Sequence, residues 1–313
     1  MRIIKTILQI GIFQSRPPVL VDIGASGEIN PNWKLIAPYA ICIAFDADDR
    51  EFHISEQTNE AYKKLFLFNR IVTADAVDKA DFYLTSSPFC SSLLEPDTKS
   101  LNPWIFNSLF AIDKKTELPA ITVQQALIKI NINYIDWFKT DTQGTDLRLF
   151  KTLPSKMADH VLAAEFEPGI LDAYIGEDKL HSVMDYMQQH KFWLSSMQPK
   201  GVQRLQKSYV NKLGSFASGK IIKRSPGWAE VTYLREILST DKRQLLLLYI
   251  FALLEKQYGF ALEIVDFAMK HFNDAIFEDC RKAVLKKLSA EKWKIPFVIL
   301  KSRFNKLFTN IND

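Results

Sequence analysis

Short apolar runs alternate with helix-like segments throughout residues 19–235, and this alternation restricts the chain to few folds. Strands and helices in regular succession predict a βαβ series, in which the strands run parallel and helices cover both faces of the sheet. We therefore expect an α/β fold with a mostly parallel sheet. The predicted strands are residues 19–23, 41–45, 70–73, 135–140, 160–166, 191–196 and 230–234, with one further extended segment at 81–85. The predicted helices are residues 31–37, 122–130, 145–152 and 178–190.

The pattern changes after Arg235. Residues 241–258, 260–272 and 274–289 have the apolar spacing of three consecutive helices, with Gly259 and Asn273 as the breaks between them. The sequence therefore predicts two domains. An α/β domain covers residues 1–237, and a helical C-terminal appendage with a basic tail covers residues 238–313.

Composition excludes several classes of protein. Apolar residues make up 47% of the chain and charged residues 24%, with a net charge of +4, which is typical of a globular protein and not of a disordered chain or a nucleic-acid coat. The three cysteines lack the spacing of a disulfide framework or a metal knuckle, so we expect a reducing, cytoplasmic location. No apolar run approaches the roughly 20 residues of a membrane-spanning helix, and no signal peptide is expected.

A glycine-containing turn follows the first predicted strand. Asp22, Gly24, Ala25, Ser26 and Gly27 stand where that strand ends and before a predicted helix begins. Glycines let a ligand approach the backbone closely, and nucleotide-like ligands bind at this position in open α/β sheets. The alternative is a tight strand-to-helix turn without a ligand. The full G-x-G-x-x-G fingerprint of dinucleotide-binding proteins is absent.

An acidic residue, Asp46, ends the second predicted strand, 24 residues after Asp22. A carboxylate at this position can accept hydrogen bonds from both hydroxyls of a ribose, so the two motifs together favour a nucleoside-type cofactor. The alternative for Asp46 is a solvated turn residue. Asp46 and Asp48 also form the Asp-x-Asp pattern with which sugar-nucleotide transferases hold a divalent cation, which leaves that class open.

Charged residues also end the next two predicted strands. Lys139 and Asp141 are two residues apart, so both point to the same side of their strand. A buried charged pair is costly unless it is paired or used, and a structural Lys139–Asp141 ion pair is the alternative to a catalytic role. Glu165 and Glu167 alternate with Phe166 at the end of the following strand and could bind hydroxyl groups or remain solvated.

These motifs, in this order, resemble the FkbM family of methyltransferases. The matching segments are residues 22–27, 44–48, 89–96, 139–147, 164–168 and 229–235. The resemblance is collinear over about residues 18–235. It implies a Rossmann-like class I methyltransferase fold with a seven-stranded, mostly parallel sheet, with S-adenosylmethionine as the methyl donor and a hydroxyl oxygen as the acceptor.

The resemblance also implies roles for individual residues. The turn 24–27 would face the methionine part of the cofactor, with Asp22 reaching its ammonium group and Asp46 its ribose. Asp141 would be the general base or would orient the acceptor, and Lys139 would hold or tune it. Asp46 and Asp146 stand where many relatives have glutamate, which shortens the reach by one methylene at each position.

We expect the acceptor to contact polar side chains around Asp141. The candidates are Ser92, Gln143, Glu165 and Glu167. For Ser92 and its neighbour Ser91, a role in capping a loop is the alternative. The histidines have no metal-ligand spacing, so no metal site is expected.

The sequence thus predicts an S-adenosylmethionine-dependent O-methyltransferase that modifies a hydroxyl of a sugar, a glycan or a related small-molecule precursor. A methyltransferase-like binding module without turnover and a sugar-nucleotide-dependent glycosyltransferase are the alternatives. No nucleic-acid partner is expected.

The basic tail has its own pattern. Residues 281–313 carry nine basic and two acidic side chains, and Phe297, Leu300, Phe304 and Leu307 recur there at helical spacing. Such a stripe fits peripheral contact with an anionic membrane. Packing on the preceding helices, or on a second subunit in a homo-oligomer, is the alternative.

Overall fold

The structure is a computed structural model and describes residues 2–24, 30–46 and 61–295. The chain divides into two compact units. One comprises Leu8–Leu238, and the other comprises Met1–Ile7 together with Ser239–Asp313. Among the described residues, no helix is long and apolar enough to cross a membrane. The apolar stripe predicted at residues 297–307 lies outside the described residues.

The described residues of the larger unit form two β-sheets. Their strands are β1 (Val19–Ile23), β2 (Ile41–Phe45), β3 (Lys64–Phe68), β4 (Ile71–Val72), β5 (Lys79–Thr85), β6 (Ile112–Ile121), β7 (Trp137–Thr140), β8 (Ala163–Phe166), β9 (Phe192–Gln203) and β10 (Arg224–Arg235). The main sheet has seven strands in the order β3-β2-β1-β7-β8-β10-β9, and the small sheet has the order β4-β6-β5. Among the described strands of the main sheet, β10 runs antiparallel to both of its neighbours, β8 and β9, and the remaining pairs are parallel. The predicted α/β class with a mostly parallel seven-stranded sheet is confirmed, and it is compatible with a Rossmann-like fold.

The central strands of the main sheet follow from their apolar runs. Every residue of β1 is buried, and so are four of the five residues of β2, as expected for strands that are covered on both faces. Phe150 lies in the core beside this sheet, with its ring 5.3 Å from that of Phe138 and 5.7 Å from that of Phe166. This packing fixes the strands whose ends carry the candidate site.

The third strand of the main sheet does not lie where the sequence predicts it. The predicted strand at 70–73 corresponds to β4, which pairs with β6 in the small sheet. The edge position beside β2 belongs to β3, whose residues are half-buried or exposed. The strand at 70–73 is thus present, but β3 was not predicted, because a short apolar run of this kind cannot be distinguished from part of a helix by periodicity.

Apart from the first, which precedes β1, the helices of the larger unit lie in the connections between strands. They are α2 (Gly11–Ser15), α3 (Thr98–Leu101), α4 (Val123–Lys129), α5 (Asp146–Lys151), α6 (Ser155–Ala158), α7 (Leu180–Gln189), α8 (Lys207–Leu213) and α9 (Ser215–Ile221), and the chain begins with α1 (Arg2–Leu8). At α4, Thr122 and Gln125 form a reciprocal capping box that fixes the start of the helix. The predicted helix at 31–37 is instead two 3-10 turns, Pro31–Leu35 and Ala37–Tyr39, because Pro38 interrupts it.

The described residues from 242 to 294 are largely helical. Their helices are α10 (Lys242–Leu254), α11 (Tyr258–His271) and α12 (Ala275–Glu291). Asp241 and Asp274 cap the first and third of these, each accepting a backbone N–H in the first turn. The Tyr249 hydroxyl donates to the Cys280 carbonyl over 2.9 Å, which joins α10 to α12.

Candidate functional site

A cavity of about 570 Å³ opens where the parallel strands of the main sheet end. Gly24, Asp46, Asp141 and Glu167 line it, and they directly follow β1, β2, β7 and β8. In the main sheet, β2 lies on one side of β1 and β7 lies on the other. The cavity is therefore at the point where the order of strands along the sheet reverses direction. Open α/β sheets bind their ligands at this position.

Position 24 requires a glycine, because the ends of β1, β2 and β7 approach each other closely there. The φ of Gly24 is +82°, and a Cβ atom at this position would lie 2.0 Å from the backbone oxygen of Asp141. Its N–H donates to the Phe45 carbonyl over 3.0 Å. Any side chain here would push β1 and β7 apart. Ala25, Ser26 and Gly27, predicted to continue the cofactor turn, lie outside the described residues.

Asp22 and Lys139 form a buried ion pair behind the cavity and do not line it. Lys139 Nζ lies 2.7 Å from Asp22 Oδ1, and the Asn30 N–H donates to Asp22 Oδ2 over 3.3 Å. Burial alone would lower the pKa of Lys139, but the negative charges of Asp22, Asp141 and Glu165 raise it above its usual range. Lys139 is therefore positively charged. The predicted contact of Asp22 with a cofactor ammonium stays a prediction.

Asp141 faces the cavity. Gln143 Nε2 donates to Asp141 Oδ1 over 2.7 Å. Burial raises the pKa of Asp141 to about 6, with the positive charge of Lys139 opposing this shift and the negative charge of Asp146 adding to it. Asp141 is thus a carboxyl group that changes its protonation state close to neutral pH. The sequence-based alternative of a Lys139–Asp141 ion pair was wrong, because Lys139 pairs with Asp22.

Gln143 holds Asp141 from a strained backbone position. Its φ is +56°, in the left-handed region that few residues other than glycine adopt. The Tyr174 hydroxyl lies 3.3 Å from Gln143 Oε1 and 2.8 Å from the Cys90 carbonyl oxygen. Ser92 Oγ donates to the Gln143 carbonyl over 2.7 Å and accepts from the Leu94 N–H. Ser92 is fully buried and does not line the cavity, so it ties two loops together.

Glu167 and Glu165 have different surroundings. Burial, together with the negative charges of Asp141 and Glu230, raises the pKa of Glu167 to about 9. Glu167 lines the cavity and is neutral at pH 7. Glu165 does not line it, and it accepts bonds of 2.9 and 3.0 Å from Asn30 Nδ2. Of the two glutamates predicted to bind the acceptor, Glu167 alone faces the cavity.

Asp146 fixes the geometry of the two loops that carry Asp141 and Glu167. Its carboxylate accepts the Thr142 N–H over 2.9 Å and the Glu167 N–H over 2.7 Å. Burial raises the pKa of Asp146, and the bonds from Thr142 and Glu167 oppose this shift. Asp146 thus binds backbone groups of both loops.

Other cavity residues were not found by sequence reasoning. Arg70 lines the cavity after β3, and the ion pair between Lys200 and Glu230 (2.8 Å) lies at its border. The apolar part of the wall includes aromatic side chains from distant parts of the chain, namely Phe82, Phe89, Phe106, Phe110, Tyr174 and Trp228. A charged residue after a strand is a signal that could have indicated Arg70. Nothing in the local sequence indicates the aromatic residues.

The described residues include no group of three or more His, Cys, Asp or Glu side chains that could hold a metal ion. Asp48, the second acid of the Asp-x-Asp pattern, lies outside the described residues. Comparison of the chain with models of known protein families gave no match, and no curated protein matches it.

Proposed function

We propose that this protein is an S-adenosylmethionine-dependent methyltransferase of the class I fold that acts on a hydroxyl group of a small molecule or glycan precursor. One observation carries the proposal. Gly24, Asp46 and Asp141 follow three neighbouring parallel strands and line a single cavity at the reversal point of the sheet.

The residues of the cavity fit the cofactor. The missing side chain of Gly24 leaves the end of β1 open to close approach, and a Cβ atom there would collide with Asp141. Asp46 follows β2, where a carboxylate can hold both hydroxyls of a ribose. When bound at such a site, S-adenosylmethionine supplies an electrophilic methyl group. The Asp22–Lys139 pair would then act indirectly, by fixing the ends of β1 and β7.

Asp141 is suited to take the proton of an acceptor hydroxyl. With a pKa of about 6 it is mostly ionised above neutral pH, yet it is more basic than an ordinary aspartate. Gln143 donates a hydrogen bond to Oδ1 of Asp141, and no described residue donates one to Oδ2 of Asp141. That oxygen can therefore accept the proton of an acceptor hydroxyl.

Glu167 is suited to bind a second polar group of the acceptor. Because its pKa is about 9, it carries a proton at neutral pH and can donate a hydrogen bond. Phe106 and Trp228 supply an apolar wall to the same cavity, with their rings stacked at a centroid distance of 6.3 Å. A ring that carries hydroxyl groups combines the polar edge and the apolar face that this arrangement would bind.

Binding of the spent cofactor tests the proposal. S-adenosylhomocysteine should stabilise the protein by about 2.7 kcal/mol at a concentration 100 times its dissociation constant. UDP with Mn²⁺ is the control, since a sugar-nucleotide transferase would respond to it instead. Stabilisation by UDP with Mn²⁺, or none by S-adenosylhomocysteine, would contradict the proposal. Transfer of a labelled methyl group to a component of a cell extract, detected by mass spectrometry, then separates an enzyme from a binding module.

A further inference from the structure

A helical insertion separates the last two strands of the main sheet. It comprises residues 204–224, contains α8 and α9, and ends with the first residue of β10. Gly214, with a φ of +82°, connects the two helices. Gln203 Nε2 donates to the Gly219 carbonyl over 3.3 Å, and Ser218 is fully buried, so α9 is anchored at its base. The rest of the insertion is largely exposed.

The insertion is strongly basic. It contains six basic residues and no acidic residue. All six are exposed, and none forms an ion pair with a carboxylate of the described residues; they are Arg204, Lys207, Lys212, Lys220, Lys223 and Arg224. Since the whole chain has a net charge of only +4, this segment holds more positive charge than the molecule as a whole. A segment of this charge favours contact with an anionic partner.

Large apolar side chains are exposed beside these cations. Phe216 is 80% exposed, Ile221 76%, Tyr209 52% and Leu213 51%. Single exposed apolar residues are common, but four within thirteen residues of a basic segment are not explained by the fold. Short amphipathic helices with bulky apolar residues and flanking lysines are typical of segments that lie in the headgroup region of a bilayer.

We propose that the insertion docks the protein onto an anionic membrane surface, with Phe216 and Ile221 entering the headgroup region and the six cations facing acidic lipid headgroups. A second copy of the chain is a poor occupant, because a symmetric contact would set the same cations against each other. A nucleic acid would neutralise the charges but would leave Ile221 in water. This proposal does not depend on the methyl-transfer proposal.

The insertion also lies close to the cavity along the chain. Lys200 on β9 and Trp228 on β10 line the cavity, and they are paired in register directly below the insertion. Docking through the insertion would therefore bring this end of the two strands, and the cavity residues they carry, towards the membrane surface.

Vesicle co-sedimentation of the full chain tests the proposal. We expect binding to vesicles of phosphatidylcholine mixed with phosphatidylserine, little binding to phosphatidylcholine alone, and weaker binding as salt is added. The double variant F216S/I221S should bind the mixed vesicles roughly tenfold or more weakly. Neutralising Lys212 and Lys220 in K212Q/K220Q should weaken binding about fivefold for each lysine.

Matched controls come from α4, where Ile128 is 68% exposed and Lys129 is also exposed. The variants I128S and K129Q should bind like the unchanged protein, and thermal melting by circular dichroism should show that all variants fold. Equal binding of F216S/I221S and I128S to the mixed vesicles would overturn the proposal. It would mean that another segment of the chain binds the membrane. Displacement of the protein from vesicles by a single-stranded oligonucleotide, with F216S/I221S binding that oligonucleotide normally, would also overturn it in favour of a nucleic-acid surface.

Discussion

Lys139 forms its ion pair with Asp22 on the neighbouring strand, with Nζ 2.7 Å from Oδ1. The two residues are direct partners in the parallel pairing of β7 with β1. Because the Asp22 side chain is only 1% exposed, the pair is shielded from water. Lys139 therefore acts on Asp141 by its charge and not by contact, and the Asp141 carboxyl remains directed to the cavity.

The first prediction concerns this ion pair. Lys139→Met should lower the free energy of unfolding by about 3–5 kcal/mol, because it leaves the buried Asp22 carboxylate without its cation. The double variant K139M/D22N should recover part of the loss. Urea unfolding measures both. Lys115→Met is the matched control, since its ion pair with Asp81 is half-exposed on both sides and its removal should hardly change the midpoint. Equal losses of unfolding free energy for the two lysine substitutions would contradict a stabilising role of the buried Lys139–Asp22 ion pair.

The second prediction concerns cofactor binding. Asp46→Ala should weaken the binding of S-adenosylhomocysteine by about 1.5–3 kcal/mol, the cost of losing charge-assisted hydrogen bonds. Calorimetric titration gives the affinity. Asp78→Ala is the control, because Asp78 is exposed and lies away from the cavity. Identical affinities for the two variants would exclude the ribose role of Asp46.

The third prediction concerns the base. Asp141→Asn should keep near-normal cofactor binding while turnover falls roughly 10²-fold or more. If Asp141 is the proposed base, kcat of the unchanged protein should fall as the pH decreases through about 6, because the raised pKa of Asp141 means that its carboxylate becomes protonated there. The pH profile of kcat measures this decrease. The control variant Asp78→Asn should have the same pH profile as the unchanged protein. A variant that cannot fold would show that Asp141 has a structural role.

The fourth prediction concerns Glu167 and stability. Its pKa of about 9 in the folded protein exceeds the ordinary value of 4.5, so the unfolded chain loses this proton first as the pH rises. The folded state therefore loses stability between about pH 4.5 and 9. Glu167→Gln should remove this loss and raise the free energy of unfolding at pH 8 by about 1 kcal/mol or more. Denaturation at several pH values tests it, with the exposed Glu236→Gln as the control. Parallel pH profiles for the unchanged protein and Glu167→Gln would contradict the prediction.

The fifth prediction separates backbone strain from steric conflict. Gly24 and Gly176 both have positive φ, of +82° and +73°, but an added Cβ meets nothing within 4 Å at Gly176. Gly176→Ala should therefore cost only about 1–2 kcal/mol, the penalty of the left-handed conformation. Gly24→Ala should cost clearly more and should also weaken cofactor binding, because β1 and β7 must separate. Equal losses of stability would show that the close contact with Asp141 is relieved at no cost.

The sequence predicted the interior of the sheet better than its borders. The strands β1 and β2 match their predicted bounds, because both are apolar runs covered on both faces, interrupted in β1 by Asp22 alone. The strand β6 was not predicted at all, since six of its ten residues are exposed and four are charged, and its pairing with β5 and β4 makes it a strand. The strands β9 and β10 extend well beyond their predicted ends, because they pair with each other along their length.

The candidate site shows the same limit. Residues directly after buried strands, such as Asp46 and Asp141, were predicted from their positions, since parallel strands bring their carboxyl ends to one edge. The partner of Lys139 depends on the register between β1 and β7, which no local pattern specifies. Tyr174 reaches the site through a hydrogen bond to Cys90, 84 positions earlier in the chain, and contacts of that kind arise only in the folded molecule.

The bonds that Gln143 makes to Ser92 and Tyr174 have a consequence for redesign of the cavity. These residues come from three loops, and each of the two hydrogen bonds joins the loop of Gln143 to one of the other two loops. A loop around Ser92 taken from another protein would leave the carbonyl of Gln143 without its donor and would release the amide that orients Asp141. Exchange of acceptor preference by grafting should therefore succeed when the three loops are transplanted together, and fail when they are moved one at a time.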